Sequence, residues 1–145
     1  MRRISILGAT GSVGANGVDL IRRAGGASAY RVTALTGGRN IARLAEMARE
    51  LRAEVAVTAH DELLDELRDA LAGSGVEAAA GSNALAEAAA RPADWTLSAI
   101  VGAAGLAPGL AAMAQGGVLA LANKESLVCA GALLRGARQA GGATI

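Results

Sequence analysis

The chain contains no phenylalanine, a single tryptophan, a single tyrosine, a single cysteine and a single histidine in 145 residues. Without aromatic bulk, any core must be built from aliphatic side chains and alanine, around the space that 20 glycines leave open. Small residues let helices approach a sheet closely, which suits α/β packing. The lone Cys129 excludes an internal disulfide and is neutral on compartment; within Leu127-Val128-Cys129 it reads as a small buried hydrophobe. His60 has no cluster of ligating or nucleophilic residues beside it and reads as a capping or surface residue. Trp95, at a strand start, reads as packing. Neither sign of charge dominates: the formal net charge is +1, which gives no case for nucleic acid or a membrane surface as partner. No apolar run approaches the ~20 residues of a transmembrane helix. The N-terminus leads into a strand pattern without the apolar segment of a signal peptide. What is present, 52% hydrophobic and 19% charged residues, describes one folded domain, expected to be cytoplasmic.

Apolar β-rich runs alternate with helical patterns along the chain. Strands are predicted at Ile4–Leu7, Tyr30–Thr36, Glu54–Val57, Val76–Ala79, Thr96–Ile100 and Val118–Ala122. Helices are predicted near 12–24, 40–51, 61–72, 83–90, 105–115 and 124–140. In the first, Val13, Val18, Leu20 and Ile21 are the apolar positions. In the second, Ile41, Leu44, Ala45, Ala48 and Leu51 share one face, with Arg43, Glu46, Arg49 and Glu50 outside. Leu63, Leu64, Leu67 and Leu71 serve the third helix, whose acidic pairs at 61–62 and 65–66 form a solvated face. Repeating strand–helix units predict a Rossmann-like α/β fold: a doubly wound, mostly parallel sheet with helices on both faces. Gly141 to Ile145 reads as a loop entering a further strand, so the chain is expected to be a fragment of a longer protein.

Two clusters carry chemistry. Ile4 to Leu7 run straight into Gly8-Ala9-Thr10-Gly11-Ser12-Val13-Gly14, a strand, a glycine turn and a helix start in that order. Such a turn brings backbone close to a ligand, and the unpaired amides and dipole of the helix face negative charge. The G-x-x-G-x-x-G spacing differs by one residue from the usual dinucleotide fingerprint. A glycine turn of this kind can also join a strand to a helix with nothing bound. The second strand ends in Gly37-Gly38-Arg39-Asn40, with no carboxylate to hold a ribose 2′-hydroxyl. Glycines leave room for a phosphate and Arg39 offers a planar cation for it, so the pattern favours NADP over NAD. In the alternative, Asn40 caps the next helix and Arg39 is solvated. The second cluster, Asn123-Lys124-Glu125, follows a strand, where ligands of open parallel sheets bind. An amide, an ammonium and a carboxylate there suit ribose or nicotinamide groups and an anionic substrate, or simply a helix start.

Together with Ala34-Leu35-Thr36-Gly37-Gly38-Arg39-Asn40, Ala99-Ile100-Val101-Gly102-Ala103-Ala104-Gly105-Leu106 and Ala122-Asn123-Lys124-Glu125-Ser126-Leu127-Val128, the first glycine turn resembles the 1-deoxy-D-xylulose 5-phosphate reductoisomerase family. The likeness covers essentially all of the chain in order; Ala9 stands where the family usually has serine. It implies that residues 1–145 form the NADPH-binding domain of an NADP-dependent oxidoreductase. The enzyme it implies rearranges and reduces 1-deoxy-D-xylulose 5-phosphate to 2-C-methyl-D-erythritol 4-phosphate. By the same resemblance, Thr10, Gly11, Ser12 and Val13 would contact the NADPH pyrophosphate, and Gly38, Arg39 and Asn40 would surround the 2′-phosphate. Asn123 and Glu125 would serve the nicotinamide side, and Lys124 would bind substrate. A divalent metal, magnesium or manganese, and a homodimer are implied for the complete enzyme. The family's metal carboxylates begin in an Asp-Ser-Glu motif. This chain has no Asp or Glu after Glu125, so no metal ligand and no certain catalytic residue is assigned in it. Two other readings remain: a standalone NADP-sensing module, and the cofactor domain of a semialdehyde dehydrogenase-like reductase. The second needs a nucleophilic cysteine near the site, for which Cys129 fits badly.

Overall fold

A computed structural model describes residues 2–99 and 118–121. Six strands run in chain order as β1 (Arg2–Leu7), β2 (Tyr30–Gly37), β3 (Val55–Thr58), β4 (Glu77–Ala80), β5 (Trp95–Ser98) and β6 (Val118–Leu121). Among the described residues four α-helices lie between β1 and β5: α1 (Ser12–Arg23), α2 (Ile41–Leu51), α3 (Leu64–Ala70) and α4 (Ser82–Ala90). The six-stranded sheet has the order β4-β3-β2-β1-β5-β6, and every pairing is parallel. All six predicted strands are present, shifted by at most two residues at either end. The helices predicted near 105–115 and 124–140 lie outside the described residues.

The chain winds outward from β1 to β4, returns through α4, and continues on the other side of β1 with β5 and β6. The strand order reverses between β1 and β5, and open α/β sheets bind ligands beyond the carboxyl ends of the strands at such a point. Residues of α1, α2 and α3 (Val18, Leu44, Ala48 and Leu67 among them) pack with Ile4, Ile6, Val32 and Leu35 on one face of the sheet. Ala88 of α4 packs with Ala34, Val55 and Val57 on the other. The doubly wound arrangement is therefore as predicted. α2 buries Met47 in addition to the five positions read from its spacing. Arg22 of α1 grips Glu50 of α2 with two bonds, Nε to Oε1 at 2.6 Å and Nη2 to Oε2 at 2.7 Å.

Several side chains sit elsewhere than the pattern suggests. Leu20 is 67% exposed, because it points about a third of a turn off the stripe formed by Val18 and Ile21. In the third helical region only Leu67 and Leu71 are fully buried, while Leu63 and Leu64 are half-buried. Trp95 is 41% exposed and stacks beneath the Arg2 guanidinium, 4.4 Å from its ring centre, rather than filling the core. Within β2, Thr33 is an extra residue: Ile4 pairs with Val32 and Ser5 with Ala34. This bulge turns Val32 and Leu35 toward the same face although they are three apart, an offset that period-two alternation does not foresee.

Among the described residues, three buried hydroxyls, those of Ser5, Thr33 and Thr96, find no hydrogen-bond partner. An unpaired buried hydroxyl costs its desolvation, whereas an apolar isostere does not. Thr96→Val is therefore expected to raise stability by about 1 kcal/mol, a gain of about 3 °C in thermal midpoint. A drop in the midpoint would show that the hydroxyl is bonded in solution.

Candidate nucleotide site

The end of β1 and the start of α1 form a tight cradle. Gly8 has φ +83°, in the left-handed region where a side chain would be strained. Its N–H donates to Thr36 Oγ1 at 2.8 Å, and the next amide, of Ala9, donates to the Thr36 carbonyl at 2.7 Å. Both bonds tie the glycine turn to the end of β2. The Gly11 N–H then closes the turn on the Gly8 carbonyl at 3.2 Å, and α1 begins with Ala15 N–H donating to the Gly11 carbonyl at 2.8 Å.

Gly14 is required by space rather than by dihedral angle. A Cβ there would overlap the Gly8 carbonyl oxygen and lie 2.7 Å from its carbon and 2.8 Å from Ala9 Cα. The first turn of α1 thus rests directly on the backbone of the cradle. Gly11 is different: a Cβ would stand 3.6 Å from the Gly8 oxygen, an ordinary contact. The N-cap of α1 makes no side-chain hydrogen bond and its first turn holds no acidic residue. An α-helix leaves its first amides without intrahelical acceptors, so those of Ser12, Val13 and Gly14 form a positive end suited to an anion.

The turn after β2 lies beside this cradle. A Cβ at Gly37 would meet Thr10 Oγ1 at 3.1 Å, so the Thr10 side chain lies against this glycine. Nothing stands within 4 Å of a Cβ at Gly38, which opens onto free space. Thr58, at the end of β3, donates its hydroxyl to the Gly38 carbonyl at 2.9 Å and accepts from the His60 N–H at 3.2 Å. Asn40 caps α2, its Oδ1 accepting from the Arg43 N–H at 3.2 Å. The capping alternative therefore applies to Asn40, and leaves its amide nitrogen to other uses. Arg39 is 70% exposed, with Nη2 3.6 Å from Glu62 Oε1. His60 makes no side-chain cap to the following 3-10 turn; its Nδ1 lies 3.7 Å from the same Glu62 oxygen.

Of the residues singled out in the sequence, Thr10 and Gly11, after β1, come together with Gly38, Arg39 and Asn40, after β2, at the carboxyl-end side of the sheet. Ser12 and Val13 open α1 there. Asn123, Lys124 and Glu125 lie outside the described residues, but β6 ends on this side, with Leu121 level with Ser98 and Ser98 level with Leu7. Sequence reasoning passed over Thr36 and Thr58. Polar residues at the ends of otherwise apolar strands were the available signal. Among the described residues no three His, Cys, Asp or Glu side chains converge as a metal site would require. An apolar cavity of about 460 Å³ lies elsewhere, between α1 and β5. Its walls, Ile4, Ile6, Leu20, Ile21, Trp95 and Leu97 among them, carry no charged residue to hold a diphosphate.

Comparison with known proteins bears on this arrangement. Residues 4–131 match the family model described as 1-deoxy-D-xylulose 5-phosphate reductoisomerase. The chain is 66% identical over 145 residues to the protein of that name from Cereibacter sphaeroides, and 66% identical over 145 residues to that from Paracoccus denitrificans. Each alignment takes in 100% of this chain and 37% of the relative, so the chain spans little over a third of their length. Among solved structures, it is similar to the Zymomonas mobilis reductoisomerase in complex with NADPH, with a TM-score of 0.94 and 51% identity. That match covers 99% of this chain and 37% of the other. It is also similar to a reductoisomerase in complex with NADPH, fosmidomycin and magnesium, at a TM-score of 0.92 and 37% identity, covering 100% of this chain and 36% of that one.

Proposed function

The chain belongs to the 1-deoxy-D-xylulose 5-phosphate reductoisomerase family, and from that premise we propose that residues 1–145 are its NADPH-binding domain. The observation that carries the reading is the joined cradle. The open N-terminus of α1, seated on Gly8 through Gly14, adjoins a Gly37–Asn40 turn that offers Arg39 and no carboxylate. These residues fit the cofactor. Thr10, Gly11, Ser12 and Val13 bind the pyrophosphate, chiefly through backbone amides. Gly38 gives the 2′-phosphate room, and Arg39 with the Asn40 amide holds it.

When bound, NADPH supplies a hydride, and the domain's task is to hold and orient it. Asn123 and Glu125 position the nicotinamide side, and Lys124 places a positive charge toward the phosphorylated sugar substrate. The whole protein rearranges and reduces 1-deoxy-D-xylulose 5-phosphate to 2-C-methyl-D-erythritol 4-phosphate, as a cytoplasmic homodimer. The described residues hold no donor set that fits a divalent metal. The semialdehyde dehydrogenase-like reading gives way to the family match. Among the described residues no helix is long and apolar enough to cross a membrane.

Calorimetric titration of the chain with NADPH and NADH tests the proposal. NADPH is expected to bind at least about tenfold more tightly, which corresponds to ~1.4 kcal/mol. Equal affinities would refute the reading of Gly37 to Asn40, and binding of neither would refute the domain assignment.

A further inference from the structure

Beside the proposed 2′-phosphate position stands a charged group that the cofactor reading does not use. Glu62 Oε1 lies 3.6 Å from Arg39 Nη2 and 3.7 Å from His60 Nδ1, so one carboxylate oxygen sits between the two side chains. The arrangement is not a chance meeting of two loose loops. Thr58 ties the two segments together, donating to the Gly38 carbonyl and accepting from the His60 N–H, and the Ala59 N–H donates to the Gly37 carbonyl at 3.0 Å. The turn after β3 is thereby fixed to the turn after β2, and Glu62 on its 3-10 turn (Asp61–Leu63) is kept near Arg39. At 3.6 Å the carboxylate attracts the guanidinium without a short bidentate clamp, so the fork of Arg39 remains available.

We propose that Glu62 is the counter-ion of Arg39 in the empty nucleotide site and limits how strongly that site prefers a 2′-phosphate to a 2′-hydroxyl. This rests on the reading of Arg39 as the 2′-phosphate ligand. A bound 2′-phosphate must share Arg39 with an existing carboxylate and sits close to a like charge, whereas a 2′-hydroxyl meets neither penalty. Glu62 therefore weakens NADPH selectively and leaves NADH untouched. His60 Nδ1 faces the same oxygen at 3.7 Å. Both charged partners are largely exposed, at 70% and 61%, so the effect is modest.

The test is a set of calorimetric titrations with NADPH and NADH at low ionic strength, on the chain and on Glu62→Gln, Arg39→Met and Asp65→Asn. Asp65, 93% exposed on α3, controls for net charge. Glu62→Gln is expected to tighten NADPH by about fivefold and to leave NADH within about twofold, while Asp65→Asn changes neither. Unchanged or weakened NADPH binding in Glu62→Gln overturns the inference, as does an equal gain for both nucleotides or the same gain from Asp65→Asn. If Arg39→Met erases the preference for NADPH while Glu62→Gln does nothing, the inference fails and the cofactor reading stands. If Arg39→Met leaves that preference intact, or the unsubstituted chain binds no NADPH, both fail.

Discussion

Replacing Gly14 with alanine is expected to lower the thermal midpoint by about 6–10 °C, a loss of about 2–3 kcal/mol. Two effects oppose each other at this position. Alanine inside a helix is favoured over glycine by about 1 kcal/mol in propensity. Against that, the new methyl would overlap the Gly8 carbonyl and stand 2.7–2.8 Å from the Gly8 carbon and Ala9 Cα. All three are backbone atoms, already fixed by bonds from Gly8 and Ala9 to Thr36, so no side-chain rotation relieves the clash. The clash wins, and α1 must lift off the cradle. Gly11→Ala is the informative companion. Its methyl has ordinary room in the empty protein, and its φ of −76° suits any residue. Stability should fall by no more than about 1 kcal/mol, the scale of an unfavourable N-cap residue. NADPH binding should nonetheless weaken by at least about tenfold, because the methyl stands where a pyrophosphate must approach backbone. Circular dichroism melts and nucleotide titrations separate the two results. A stable Gly14→Ala protein with normal binding would sink the account of the cradle.

Arg39→Glu is expected to invert the nucleotide preference. Two unit charges 4 Å apart interact by about 4 kcal/mol at an effective dielectric constant of 20. Arg39 is 70% exposed, so about 1–2 kcal/mol is the realistic worth of its attraction for a phosphate. Reversal removes that attraction and substitutes repulsion, which should weaken NADPH by about 30- to 100-fold. NADH should bind no worse, since a carboxylate at the end of a second strand accepts a bond from the ribose 2′-hydroxyl. The difference should shrink as salt is raised, as it does for exposed charges. Equal weakening of both nucleotides would mean that Arg39 supports the turn rather than reads the phosphate.

Much of this was legible in the sequence because it is local. The β1 run and its glycines, the apolar stripe of α2 and the missing carboxylate after β2 each lie within one short segment. Strand and helix periodicity fix which residues can share a face, and Gly8 declares its turn through the conformation only glycine takes readily. The failures share the opposite character. Leu20 reads as one of the apolar positions of α1, yet which of those positions is covered depends on the surface that α1 meets, and Leu20 lies off the stripe of Val18 and Ile21. The extra residue at Thr33 is invisible until β2 is laid against β1. For His60 the spatial neighbour is remote in sequence: Arg39, which meets the same Glu62 oxygen, is 21 positions away.

By itself, then, the sequence determined the class of fold, the order of its elements, the glycine turn after β1 and the sign of charge at the end of β2. These follow from periodicity, glycine and residue chemistry, which act over a few residues. Only the tertiary structure decided why Gly14 must be glycine, since the atoms that forbid a side chain belong to β1's turn and not to the helix. It alone decided that Thr36 ties the turn after β1 to the end of β2, that Thr58 ties the turn after β2 to the turn after β3, and that Glu62 faces Arg39. Parallel strands bring residues together only through crossovers of many residues, so their contacts depend on register and topology rather than on spacing along the chain.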